Sequence, residues 1–149
     1  MPQIYQYKLT VPDHAVDING HVNNIEYLRW MQDAAVLHSD IQGCTQATID
    51  AGATWVVRTH YIEYLRPAFA GENIVVWTWV SNIRRVQSLR KYRIIRTDDS
   101  TVLVEGETNW VFVDARTGRL RSIPKVVLLL FDILPKEAEE QILNGIKRV

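Results

Sequence analysis

The chain has 149 residues, of which 47% are hydrophobic and 23% charged, and its 17 Lys and Arg balance 17 Asp and Glu. This is the composition of one globular domain able to bury roughly 70% of its unfolded surface, and neutrality gives no reason to expect nucleic acid or an anionic membrane as partner. The single cysteine, Cys44, excludes an internal disulfide and any Cys-rich metal site, and the lack of a leader pattern or long apolar run points to the cytosol without membrane insertion.

Residues 3–11 alternate, with Tyr5, Tyr7, Leu9 and Val11 on one face and Gln6, Lys8 and Thr10 on the other, which predicts a strand ended by Pro12 and Asp13. From Asp13 to Asn24 the chain is polar and without period, a loop. Residues 24–41 read as a helix, capped by Asn23 or Asn24 and stopped at Gly43. Its polar stripe (Glu26, Arg29, Asp33 and Asp40) is narrow, so the helix is expected to be covered on most sides, with Ala34 and Ala35 allowing close approach. Residues 45–51 suggest a short helical turn.

Four strand-type runs follow, at about 54–66, 73–81, 87–97 and 101–114, rich in Val, Ile, Trp, Tyr and Thr. Turn chemistry lies between them at Arg66-Pro67 to Gly71, at Ser81-Asn82 and at Asp98-Asp99-Ser100, and Thr117-Gly118 follows the last. Short turns between successive strands predict an antiparallel sheet. Residues 125–131 and 136–147 read as short helices of a C-terminal tail beyond a core of about 3–125, within one domain over 1–149. The whole is an α+β arrangement in which five antiparallel strands wrap one long central helix. Its free edges favour pairing with a second copy, giving a homodimer or homotetramer.

The densest group of functional side chains is Asp17-Ile18-Asn19-Gly20-His21-Val22-Asn23-Asn24, just before the long helix. A helix start offers free backbone N–H groups and partial positive charge, which hold an oxyanion or polarise a carbonyl. A nearby carboxylate supplies a general base or a nucleophile. Singly, these residues are ordinary turn and capping material; the combination with the helix sets them apart.

The segment Asp17-x-Asn19-Gly20-His21-Val22-Asn23-Asn24-x-x-Tyr27-x-x-Trp30 resembles the signature of hot-dog-fold thioesterases of the 4-hydroxybenzoyl-CoA thioesterase-like group. Its spelling is also similar to the catalytic segment of plant acyl-ACP thioesterases. Tyr61 to Ala68 with Gly71-Glu72 resembles the family's second strand and turn, and Asp114, Thr117-Gly118-Arg119 and Pro124 resemble its last-strand ending. The resemblance implies a hot-dog fold and hydrolysis of acyl-CoA or acyl-carrier-protein thioesters without cofactor or metal. It implies Asp17 as the essential carboxylate, with Asn19 and His21 on positions that assist catalysis in the acyl-ACP branch. Gly20, Asn23, Asn24, Ile25 and Tyr27 would surround the substrate, with the N–H groups near Asn24 and Ile25 polarising the carbonyl. Glu63, the only carboxylate of its strand, is the candidate second acid.

Two other functions suit the same fold, a non-catalytic acyl-thioester binding protein and a hydroxyacyl-thioester dehydratase. The acid's place in the loop favours hydrolysis. Trp55, Trp77, Trp79 and Trp110 fall on strands and are expected to pack in core or interface. Arg84-Arg85, Arg90-Lys91 and Arg119-Arg121 are candidates for the phosphates of CoA, although charges at strand ends are more often simply solvated. Cys44 has no evident partner base.

Overall fold

The computed structural model describes residues 3–146. In chain order come β1 (Tyr5–Thr10), a 3₁₀ turn (Asp13–Ala15), α1 (Asn24–Gln42), α2 (Cys44–Asp50), β2 (Ala53–Tyr64), β3 (Asn73–Arg84), β4 (Gln87–Arg96), β5 (Thr101–Asp114), α3 (Lys125–Leu128) and α4 (Lys136–Ile146). The five strands form one sheet in the order β1-β3-β4-β5-β2, every pair antiparallel. The elements follow the expected pattern, with four differences. α3 ends at Leu128, short of the expected residue 131, and the chain continues in a turn. The 3₁₀ turn lies inside the stretch read as irregular. β3 runs through Ser81-Asn82 to Arg84, because a bulge between Val80 and Asn82 absorbs those residues within the strand. β2 and β3 are not a hairpin: the segment from Arg66 to Gly71 carries the chain across to the far side of the sheet.

α1 begins where the Asn23 side chain accepts the Ile25 N–H at 3.1 Å, and it stops at Gly43. Tyr27, Trp30, Met31, Ala34 and Ala35 turn onto the concave sheet face against Ile74, Val76, Tyr92, Ile94, Leu103 and Val104. Burying each large apolar side chain here contributes about 1.5–3 kcal/mol. Met31 lies over Gly106, where an added Cβ would fall 2.7 Å from its Cε and 3.0 Å from the Tyr61 carbonyl oxygen. The missing side chain at Gly106 thus sets how closely helix and sheet approach.

The opposite helix face is not covered by the described residues. Ile25, Val36, Leu37 and Ile41 are exposed, so the expected cover on most sides is absent in a single copy. The convex sheet face is covered by the C-terminal segment, which explains why β3 is buried on both faces. Leu134 donates its N–H to Val80 O, and Glu139 of α4 reaches Lys91 Nζ at 2.8 Å, Trp79 Nε1 at 3.2 Å and Ser81 Oγ at 3.2 Å. Among the described residues no helix is long and apolar enough to cross a membrane. Residue 147, read as the end of the last helix, lies outside the described residues.

Candidate active site

The loop before α1 is a small closed structure. Val16 and Val22 bridge its base, the Asp17 N–H donates to His21 O at 2.7 Å, and the Gly20 N–H donates to Asp17 O at 3.0 Å. The reversal needs φ +80° at residue 20, a conformation that glycine adopts without cost. Two bonds tie the loop down: the Val22 N–H to Ala68 O at 2.9 Å and the Asn23 N–H to Ala15 O at 2.8 Å. Tyr27, one turn into α1, fixes the partner segment by accepting the buried Ala68 N–H at 3.0 Å. Burial, foremost, raises its phenol above the ordinary value, so the hydroxyl stays neutral.

Within this frame Asp17 uses one carboxylate oxygen structurally. Oδ1 accepts the N–H groups of Asn19 at 2.9 Å and His21 at 3.2 Å, while Oδ2 has no protein partner among the described residues. The carboxylate belongs to no salt bridge there and lines a cleft of about 310 Å³. His21, Asn24, Tyr27, Tyr64 and Arg66 share that cleft. His21 is exposed and packs edge-on against Phe69 at 5.2 Å. The helix start narrows the choice of N–H donor. Ile25 is taken by the Asn23 cap and Glu26 by Asn23 O, which leaves the Asn24 N–H without an acceptor among the described residues. The residues that line the cleft thus include Asp17, with one carboxylate oxygen unbonded, and Asn24, with its backbone N–H unbonded at the positive end of a 19-residue helix. No three His, Cys, Asp or Glu among the described residues stand close enough to hold a metal ion.

The model of the thioesterase-like superfamily matches residues 11–131, from the end of β1 to the turn after α3. The chain belongs to that superfamily. Solved structures of superfamily folds agree in architecture. The 1,4-dihydroxy-2-naphthoyl-CoA thioesterase from Synechocystis superposes with a TM-score of 0.77 at 16% identity, over 85% of this chain and 94% of its own. The 12:0-ACP thioesterase from Umbellularia californica gives 0.79 at 19% identity, over 92% of this chain and 54% of its own. An acyl-ACP thioesterase from Bacteroides thetaiotaomicron gives 0.78 at 20%, over 90% and 56%. This superfamily member thus spans nearly all of the first and about half the length of the other two. At these identities the likeness shows the fold, a hot-dog of five antiparallel strands around α1. A comparison with curated proteins finds no match.

The residues singled out in the sequence of this thioesterase-like chain do not all meet. Asp17, His21, Asn24 and Tyr27 line the cleft. Asn19, Gly20, Asn23 and Ile25 shape the loop and helix cap around it and are not among its lining residues. Glu63 is exposed on β2 next to Tyr64, and since successive strand side chains point to opposite faces, Tyr64 turns to the cleft and Glu63 away. Sequence reading missed Tyr64 and Arg66. Tyr64 packs on Tyr27 at 5.6 Å and donates its hydroxyl to Asn24 O at 3.2 Å, locking the end of β2 to the helix start. The alternation of β2, which puts Tyr64 on the same face as the half-buried Ile62, is the signal for it.

The phosphate candidates also change. Arg90 is 4% exposed beneath α1, which removes it from any surface contact with a nucleotide, and Lys91 is engaged by Glu139. Arg121 donates to Ala51 O at 2.8 Å and lies 3.9 Å from Asp114. Burial pushes the Cys44 thiol up to about 11, against a smaller opposing effect of Arg90, so it stays protonated at neutral pH.

Proposed function

We propose that the protein hydrolyses an acyl thioester of CoA or of an acyl carrier protein, with Asp17 as its reactive carboxylate. The observation that carries this reading is that Asp17, with its Oδ2 unbonded, and Asn24, with its backbone N–H unbonded, line the same cleft. The thioester carbonyl oxygen sits at Asn24, where the helix dipole and the amide stabilise the charge that develops on it. Asp17 then either takes a proton from the attacking water or attacks the carbonyl carbon itself. On the first route the addition intermediate collapses, the thiolate leaves with the proton that Asp17 had taken, and the acid is released. On the second the thiolate leaves to give a mixed anhydride on Asp17, which a water molecule hydrolyses to the free acid and the restored carboxylate, its released proton going to the thiolate. His21 and Asn19 assist: the backbone N–H of each holds Asp17 Oδ1, which orients the other oxygen toward the substrate. Arg66 at the rim gives the anionic phosphate arm of either carrier a cationic contact.

The reading includes self-assembly into a dimer or tetramer. β2 is a 12-residue free edge with exposed Val56 and Tyr61, and α1 leaves Ile25, Val36, Leu37 and Ile41 uncovered. Antiparallel pairing of two β2 edges would bring the Tyr64 end of one copy beside the Ala53 end of the other. The test is a panel of acyl-CoA and acyl-carrier-protein thioesters of graded chain length and aromatic content, with release of free thiol as readout. Release from at least one carrier supports the reading. A folded protein that binds these thioesters and releases no thiol is a binding protein, and the proposal fails.

A further inference from the structure

A second cavity, of about 290 Å³, lies at the other end of α1 from the Asp17 cleft. α1, α2, β2, β4, β5 and Phe131 enclose it, and Trp55, Trp110 and Phe131 give it an aromatic wall. Arg90 also lines it, and is 4% exposed. Its Nη1 donates to His38 Nδ1 at 2.9 Å and to Thr78 Oγ1 at 3.2 Å. Both partners are neutral: burial, with Arg90 second, lowers the His38 pKa to about 4. Nε and Nη2, the other edge of the planar fork, have no hydrogen-bond partner among the described residues, and no carboxylate there pairs with Arg90.

Arg93, three residues on, shows the ordinary arrangement. It is equally buried at 4% and is paired with Glu105 at 2.7 Å. A buried guanidinium without a counter-anion is unfavourable, and the protein solves that problem at Arg93 and leaves it open at Arg90. The opening is a cavity. Its volume is at the lower end of the roughly 300–1,000 Å³ range of ligand sites, too small for a nucleotide. The lining is apolar over most of its area and adds the neutral hydroxyls of Ser39, Thr45, Thr48, Thr54 and Ser88, so its single cation balances the charge of a monoanion and leaves half of a phosphate dianion's charge unbalanced.

We propose that this cavity binds a small molecule with an apolar or aromatic body and one carboxylate. The carboxylate takes the two parallel N–H bonds of Nε and Nη2, and the body packs on Trp55, Trp110 and Phe131. The ligand is either a free carboxylic acid or the far end of an acyl thioester that carries a second, distal carboxylate and enters from the Asp17 cleft of a second copy, which paired β2 edges would bring beside Ala53. Only the latter rests on the function proposed above.

The test is quenching of tryptophan fluorescence on titration with benzoate, 3-phenylpropanoate and octanoate, each against its primary amide as neutral isostere. At least one acid is expected to bind about tenfold or more tighter than its amide, because the amide leaves the guanidinium without an anion. Arg90→Gln is expected to abolish that difference. Should that variant fail to fold, Val36→Trp blocks the cavity from an exposed position and abolishes binding of the acid. Equal affinity of every acid and amide, no binding of any, or unchanged binding in Val36→Trp overturns the proposal. Asp17→Asn is expected to leave acid binding unchanged, so failure of the catalytic reading and failure of this one remain distinguishable. The octanedioic acid mono-CoA thioester identifies the source: a KM below that of octanoyl-CoA assigns the carboxylate to substrate, and equal KM values with acid binding intact assign a separate ligand.

Discussion

Tyr27→Phe removes one oxygen from a buried position and leaves the ring in place. The hydroxyl is the acceptor for the Ala68 N–H at 3.0 Å, with Tyr27 2% exposed and Ala68 fully buried. After the substitution that N–H has no partner and no route to water. Leaving a buried donor unsatisfied costs about 1–3 kcal/mol. In a domain of this size each kcal/mol lowers Tm by about 2–4 °C, so the expected fall is about 2–12 °C. Urea titration should give a lower midpoint at unchanged slope, since little more surface is exposed on unfolding. A functional effect accompanies it, because the Ala68 carbonyl holds Val22 and so the loop that carries Asp17. kcat should therefore fall more than KM rises. A loss below about 0.5 kcal/mol would refute the reasoning, since the bond would then not be holding segment 67–69.

Three further outcomes follow from the packing. His38, with its pKa lowered to about 4 by burial and then by Arg90, must be neutral in the folded state while it titrates near 6.5 unfolded. Its contribution is fully present above pH 6.5 and is lost as pH falls toward 4, on the order of 2–3 kcal/mol, so His38→Gln should flatten the stability slope in that window relative to wild type. Gly106→Ala pushes a Cβ into Met31 and the Tyr61 carbonyl; a loss of about 1–3 kcal/mol is expected by urea unfolding, and a neutral result would show that the helix lifts freely. Glu139→Ala strands Lys91 and the Trp79 indole N–H, and should cost about 1–3 kcal/mol and raise hydrogen exchange in α4 before the rest of the fold.

The long helix, its Asn23 cap and the five strands were legible because each rests on local chemistry: a 3.6-residue period, a side chain that caps, and runs of β-branched and aromatic residues. The loop was legible as well, since Asp17, Gly20 and His21 crowd into five residues. What stayed hidden is set by distant partners. Nothing local says that Ser81-Asn82 forms a bulge rather than a turn, or that β2 and β3 lie on opposite sides of the sheet. Arg90 reads as a surface charge beside Lys91, yet alternation turns one under α1 and the other to Glu139 on the convex face. Glu63 is the only acid of its strand, yet Tyr64 beside it is the residue that faces the cleft. Pairing register, known only once the sheet is assembled, decides all of these.

The most direct test of the catalytic proposal is the hydrolysis rate of Asp17→Asn. The amide oxygen still accepts the Asn19 and His21 N–H groups, so the loop and the stability should persist. With the best thioester of the panel, kcat is predicted to fall by about 10²-fold or more. A folded Asp17→Asn protein that releases thiol at the wild-type rate would contradict the account.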